Sequence, residues 1–272
     1  MNVSMTRRVS FSSGHRYHFE QMTDAENEVL FPGFWSRYNH GHNYILDVTV
    51  EGDIDDQTGM IVNISEVDKV LKRVVVSRFN NRSINDEIPE FKHTAPCLEN
   101  LLSYFWSVIE NAPLPKEATL KHLRLYEMPT LFAERDAMKT TLTRTYEFAA
   151  SHRLHAPALS DEQNLELFGK CNNPAGHGHN YVLEVTVTGE PHPTTGMITS
   201  LQDLDQTVNE QVVDRYDHKN LNVDIPEFQG VPTTSEIVAK TIYQRLNSAL
   251  GDALHSVKLH ETARNSFEVS KS

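Results

Sequence analysis

Cysteine is nearly missing from this chain: Cys97 and Cys171 are the only two in 272 residues. A disulfide framework is therefore excluded, and a reducing compartment such as the cytoplasm is expected. Long apolar runs are missing too. No stretch approaches the ~18 residues a spanning helix needs, so a membrane is not an expected partner. The opening MNVSMTRRVSFSS has two arginines but no apolar centre, unlike a secretory leader. Positive charge is in deficit, with 25 Lys and Arg against 37 Asp and Glu and a formal net charge of −12. Nucleic-acid binders present basic stripes, so nucleic acid is not expected either. A polyanionic small molecule would need a local basic pocket set against the global field. No G-x-G-x-x-G fingerprint appears, which argues against a dinucleotide cofactor. What remains is ordinary: 39% hydrophobic and 23% charged residues, enough for a core in each of two domains.

The chain repeats itself. His40-Gly41-His42-Asn43-Tyr44 returns 137 positions later as His177-Gly178-His179-Asn180-Tyr181. Thr58-Gly59-Met60-Ile61 returns at the same distance as Thr195-Gly196-Met197-Ile198, and Ile88-Pro89-Glu90-Phe91 as Ile225-Pro226-Glu227-Phe228. After Glu99 and Glu236 the spacing shortens by three, so Glu127 matches Glu261. This is a tandem duplication with its join near Asp136 to Thr140, giving units of residues 1–137 and 138–272. The join has no Pro, Gly or Ser run, so a tight connection is expected.

Each copy predicts the same elements. A short strand carries Phe-x-x-x-His (Phe11 to His15, Phe148 to His152). A second runs from His-x-His through Val187, with Leu183, Val185 and Val187 on one face. A Thr-Gly turn leads to a helix opening at Ser200, with Leu201, Leu204 and Val208 at helical spacing. A second helix starts near Thr234, and two strands close the unit at about Ser256 to His260 and Ser266 to Val269. The order is ββααββ, an α+β unit with an antiparallel sheet and helices on one face.

His177 and His179, two apart on a strand, point to the same face, and His152 on the preceding strand can lie across from them. Three converging imidazoles form the set of a catalytic zinc with one position open. A lone buried histidine would more often be packing, but the pattern occurs in both copies. Cys171, in a polar Gly-Lys-Cys-Asn-Asn-Pro loop, is either a low-pKa thiolate or a small buried hydrophobe. Asp217-His218, ending the first helix, is an acid–imidazole pair that could tune a base or simply a solvated helix end. Glu261 could hold a guanidine-like ring edge by two hydrogen bonds.

The stretch Leu167 to Tyr181 (LFGKCNNPAGHGHNY) resembles the active-site segment of 6-pyruvoyltetrahydropterin synthases. So do Thr195-Gly196-Met197, Asp217-His218-Lys219-Asn220-Leu221, Thr233-Thr234-Ser235-Glu236 and His260-Glu261-Thr262. The resemblance implies a tandem T-fold that assembles into barrels as a homo-oligomer. It implies Zn2+ on His152, His177 and His179, with Cys171 as base supported by Asp217 and His218. It further implies that Glu261, with Thr233 and Thr234, holds the pterin of 7,8-dihydroneopterin triphosphate, the small-molecule substrate. In relatives the Asp-His pair is thought to reach a neighbour's cysteine, which makes pairing of C-terminal units the expectation. Five residues separate Cys171 from His177, which favours pyruvoyl over 6-carboxytetrahydropterin chemistry. A non-catalytic zinc or pterin-binding module is the reading from another class.

The N-terminal copy departs from the pattern. It keeps His15, His40 and His42 as a second possible metal set. Phe34 stands in place of Cys171, Asn80 and Asn81 in place of Asp217 and His218, and Pro96 and Cys97 in place of Thr233 and Thr234. Glu127 survives as a candidate pterin anchor. This copy is expected to be a non-catalytic scaffold.

Overall fold

The structure, a computed structural model, describes residues 2–114 and 118–271. The N-terminal copy comprises β1 (Asn2–His15), α1 (Asp24–Leu30), β2 (His40–Asp53), α2 (Ile64–Leu71), α3 (Leu98–Glu110), β3 (Thr119–Met128) and β4 (Leu131–Arg135). The C-terminal copy repeats the order as β5 (Thr140–His152), α4 (Asp161–Phe168), β6 (His177–Thr188), α5 (Leu201–Val208), α6 (Ser235–Leu250), β7 (Leu254–Thr262) and β8 (Asn265–Ser270). Between Asp136 and Lys139 the join is a tight turn: the Asp136 N–H donates to the Lys139 carbonyl, and the Asp136 carboxylate accepts from the Met138 and Lys139 amides.

The long strands pair antiparallel within each copy, and a two-residue strand (Arg82–Ser83, Lys219–Asn220) adds a short parallel pairing to the end of β1 or β5. In the first, β1 lies along β2 from Asn2↔Asp53 to His15↔His40, β2 pairs with β3, and β3 with β4. In the second, β6 pairs with β7 and β7 with β8. Alternation places Tyr181, Leu183, Val185 and Val187 in the core while the intervening residues stay half-exposed. Each copy covers its sheet with its own long helix: α3, burying Leu101, Leu102, Phe105 and Ile109, packs on β3 and β4, and α6, burying Val238, Ala239, Ile242 and Leu246, packs on β7 and β8. Phe11 stacks on Tyr44 at 5.1 Å and Phe148 on Tyr181 at 5.1 Å, the same aromatic pair in both copies. Burying one such ring contributes about 1.5–3 kcal/mol.

Three features depart from the sequence expectation. The first strand of each copy is long, not confined to Phe-x-x-x-His. A short helix, α1 or α4, stands between the first two strands. Its signal is a capping box: Thr23 with Glu26, and Ser160 with Gln163, each satisfy two otherwise orphaned amides. Finally, α2 and α5 run on through π-helical turns at Lys72–Val76 and Asn209–Val213. Such one-residue insertions re-aim a helix end and are frequent at functional sites.

By packing, the chain divides into two compact units, Met1–Leu142 with Thr188–Gln202, and Thr143–Val187 with Asp203–Ser272. The segment from Thr188 to Gln202 thus belongs to the second copy by sequence and packs within the first unit. No helix among the described residues is long and apolar enough to cross a membrane.

Candidate metal centre and active site

In the second unit, the end of β5 and the start of β6 bring His152, His177 and His179 together, with ligand nitrogens all within 4.8 Å of one another. His152 is fully buried, and its Nε2 lies 3.2 Å from that of His177. Its Nδ1 lies 2.8 Å from the Thr233 carbonyl. A carbonyl only accepts, so Nδ1 carries the proton and the Nε2 lone pair faces the cluster. Burial, reinforced by the neighbouring imidazoles, holds His152 and His177 below the usual histidine range, in the neutral form a metal needs. The His179 Nε2 is buried without a hydrogen-bond partner. Three converging imidazoles, one with a buried unpartnered nitrogen, fit a divalent metal such as zinc.

Glu261, on β7, borders the cluster, with Oε1 3.8 Å from His152 Nε2 and 3.9 Å from His179 Nε2. Ser235 Oγ donates to Oε1 at 2.6 Å and Asn265 Nδ2 to Oε2 at 2.8 Å. Burial raises its pKa, but these two donors and the histidines outweigh burial and keep the carboxyl below its usual range. Thr233 is fully buried and committed internally: its Oγ1 donates to the Arg153 carbonyl and accepts from Asn222. Thr234 is the N-cap of α6, half-buried, and its side chain makes no cap hydrogen bond.

Cys171 sits in the 3₁₀ turn Gly169–Asn172 and is partly exposed. Its carbonyl accepts from the Leu154 amide at 2.9 Å, and Asn172 Nδ2 donates to the Leu154 carbonyl at 2.6 Å. The cysteine loop is thereby tied two residues beyond His152. Asp217 accepts from the Ala149 amide at 2.7 Å through Oδ1, and its Oδ2 lies 2.7 Å from His218 Nδ1. The Ala149 amide, then His218, hold its carboxyl below the usual range. His218 adopts φ 57°, an uncommon left-handed conformation, and its side chain is 84% exposed over an open groove lined by Ser151, His179 and Asn180. Among the described residues no hydrogen bond joins His218 to Cys171.

The first unit builds a parallel set, His15, His40 and His42, again within 4.8 Å of one another. Burial first, then the adjacent imidazoles, pushes His15 down to about 3; burial and His40 push His42 to about 4. Around it the chemistry differs. Phe34 packs with Tyr17, Phe19, Phe31 and Cys97, and Met197 covers the same cluster. Cys97 is buried and donates its S–H to the Thr195 carbonyl. Asn81 keeps the left-handed backbone of His218, with φ 59°. Sequence reasoning missed Ser235, Asn265 and Glu99. The first two were visible only as differences between copies, since Leu98 and Leu131 stand at their places.

The sequence pattern of the family described as 6-pyruvoyl tetrahydropterin synthase matches residues 4–137 and again 141–272. The chain belongs to this family. It is a duplicated synthase domain, a tandem T-fold. Among relatives, the human 6-pyruvoyl tetrahydrobiopterin synthase is 50% identical over 125 residues, covering 46% of this chain and 86% of that protein. The Drosophila melanogaster protein of the same name is 46% identical over 126 residues, covering 46% of this chain and 75% of its own. A 6-carboxy-5,6,7,8-tetrahydropterin synthase of Rickettsia typhi is 24% identical over 145 residues, covering 53% of this chain and 94% of its own. The solved Caenorhabditis elegans 6-pyruvoyl tetrahydropterin synthase matches 48% of this chain and 95% of its own at 42% identity, TM-score 0.47.

Proposed function

We propose that residues 138–272 form a zinc-dependent lyase unit that converts 7,8-dihydroneopterin triphosphate to 6-pyruvoyltetrahydropterin with release of triphosphate, and that residues 1–137 are a non-catalytic unit. The observation that carries this is Glu261: a carboxylate held in its charged form by Ser235 and Asn265, 3.8 Å from the His152 nitrogen. This supports reading Glu261 as a ring anchor beside a metal set.

Zinc on His152, His177 and His179 would supply Lewis acidity, raising the acidity of the C–H beside a side-chain hydroxyl. Glu261 accepts two hydrogen bonds from the pterin ring edge and fixes its orientation. Thr234 lines the ring, while Thr233 acts through His152 by fixing its tautomer. Cys171, as thiolate, takes the proton from the side-chain carbon, and His218, oriented by Asp217, relays it. The C–O bond to triphosphate breaks with its electron pair leaving on oxygen. Internal redox between ring and side chain completes the product, so no nicotinamide or flavin is consumed. The exposure of His218 supports the reading in which the pair serves the cysteine of another copy in a homo-oligomer.

The test is product analysis: zinc-loaded protein is incubated with 7,8-dihydroneopterin triphosphate and the pterin identified by mass. Triphosphate with 6-pyruvoyltetrahydropterin is expected. A 6-carboxy product, or none, overturns the proposal.

A further inference from the structure

The Thr-Gly-Met-Ile turn is built the same way twice. The Asp55 amide donates to the Met60 carbonyl and the Gly59 amide to the Asp55 carbonyl, just as the His192 amide donates to Met197 and the Gly196 amide to His192. Gly59 and Gly196 both take the left-handed conformation the turn requires, with φ 69° and 74°.

The surroundings of the two turns differ. Within the first unit the Thr195 turn is seated. The Ile198 amide donates to Glu99 Oε1 at 2.9 Å, and Asn100 Nδ2 and the Cys97 S–H donate to the Thr195 carbonyl. Thr195 is 4% exposed and Leu201 7%. Met197 and Leu201 close over Glu127, with Leu98 and Leu131 filling the space beneath, and the cavity left is about 10 Å³. That is room for one water molecule at most. The counterparts of the turn residues lie open: Thr58 is exposed, Met60 is 45% exposed and Ile64 46%. The counterparts of the seat lie open as well. Glu236, matching Glu99, is exposed. Leu167 is 64% exposed, whereas its match Leu30 packs on the aromatic cluster that Met197 covers.

The chain therefore carries two turns and two seats of one design. One turn and one seat are joined in the first unit; the remaining turn belongs to the N-terminal copy and the remaining seat to the C-terminal copy. Grouped apolar side chains left open in this way mark an interaction surface, and the shape that fits each is already present in the same sequence.

We infer that the Thr58–Ile61 turn of one chain seats on the C-terminal copy of a second chain, where the partner's Met60 and Ile64 wall Glu261 as Met197 and Leu201 wall Glu127. The Ile61 amide then meets Glu236 as that of Ile198 meets Glu99. Thr234, whose side chain makes no cap hydrogen bond, stands where Cys97 donates to the turn. Beneath the wall, Ser235 and Asn265 replace Leu98 and Leu131, so this site stays polar where the other is filled. The C-terminal copy's own turn is committed within the first unit, which excludes pairing of C-terminal units through this contact. Turn and seat are different surfaces, so the contact is head-to-tail, the kind that joins chains into rings. The docking rests on the repeated geometry alone; that it walls a substrate site rests on Glu261 as the ring anchor proposed above.

Sedimentation of the full-length protein tests it. Wild type is expected to assemble. Met60→Glu, which spoils the turn, and Glu236→Lys, which spoils the seat, should each sediment more slowly than wild type with unchanged far-UV circular dichroism. Mixed one to one, the two variants should form a faster species containing both chains, because the intact turn of one still fits the intact seat of the other. Each variant alone should bind 7,8-dihydroneopterin triphosphate at least ~10-fold more weakly than wild type, as loss of an apolar wall implies, and the mixture should regain one tight site per pair of chains. A monomeric wild type, either variant assembling as wild type does, or a mixture whose chains stay apart overturns the inference. If Met60→Glu does not fold, Ile64→Glu takes its place with the same expectations. A restored species without tight binding refutes the proposed role of Glu261 and leaves the docking standing.

Discussion

Around the histidines of the C-terminal copy, the side chains are polar and partly open: Cys171 in its turn, His218 over a groove, Glu261 gripped by Ser235 and Asn265. The same places in the N-terminal copy hold Phe34, Asn81, and Leu98 and Leu131 about Glu127. Strands, aromatic stack, π-helical turns and left-handed residue are retained in both. On the proposed division of roles, the difference separates the parts the fold needs from those only the chemistry would need. Once a site stops working, polar groups that cost desolvation can be exchanged for apolar area, at about 25 cal/mol per Å² buried.

The largest effect should come from Cys171→Ala. Turnover is expected to fall by about 10²–10⁴, the usual contribution of a proton-transfer group, while zinc measured by atomic absorption stays at the wild-type level because the cysteine is not a ligand. Loss of metal with activity would make Cys171 a ligand. Transplanting it is the converse. In a Cys171→Ala background, Phe34→Cys should restore no turnover, because Asn80 and Asn81 cannot exchange a proton near neutral pH. It should also lower the melting temperature, since Phe34 packs in an aromatic cluster. Recovered triphosphate release would show the acid–imidazole pair to be dispensable.

The repeated Thr-Gly-Met-Ile turn sharpens the comparison. Gly59 and Gly196 have φ 69° and 74°, but a Cβ on Gly59 meets nothing, and one on Gly196 meets Asn100 Oδ1 at 2.1 Å. Asn100 cannot step aside freely, because its amide donates to the Ala95 and Thr195 carbonyls. Urea unfolding should therefore show Gly59→Ala losing about 1 kcal/mol, and Gly196→Ala about 3 kcal/mol through the added loss of buried hydrogen bonds. Equal losses would mean that the Thr195 turn is not docked as described.

The smallest effect concerns Glu99, 3% exposed, against its exposed counterpart Glu236. Burial raises the Glu99 carboxyl, opposed by the Ile198 amide that donates to it. A raised folded value means that the unfolded chain gives up its proton first, so stability falls as pH rises above about 4.5. Glu99→Gln should accordingly melt higher than wild type at pH 8, with the gap closing near pH 4.

Much of this was legible in residues alone. The duplication, the α+β order, the tight join and the helix from Thr234 follow from spacing and periodicity, which local physics enforces. The short helices α1 and α4 were hidden because eight residues or fewer carry little periodicity, although Thr23-x-x-Glu26 marked one start. Closure of the N-terminal pocket was hidden for another reason. Thr188 to Gln202 covers it from far along the chain, and no local signal says where a loop docks. The grips on Glu261 were equally silent until Ser235 and Asn265 could be set against Leu98 and Leu131.

The account's central claim is that one copy of two works. Calorimetric titration of zinc-loaded Cys171→Ala protein with 7,8-dihydroneopterin triphosphate counts the sites directly, since substrate binds without turning over. One molecule bound per chain, lost on adding Glu261→Gln, is the predicted result. Two per chain, or binding that survives Glu261→Gln, would contradict it.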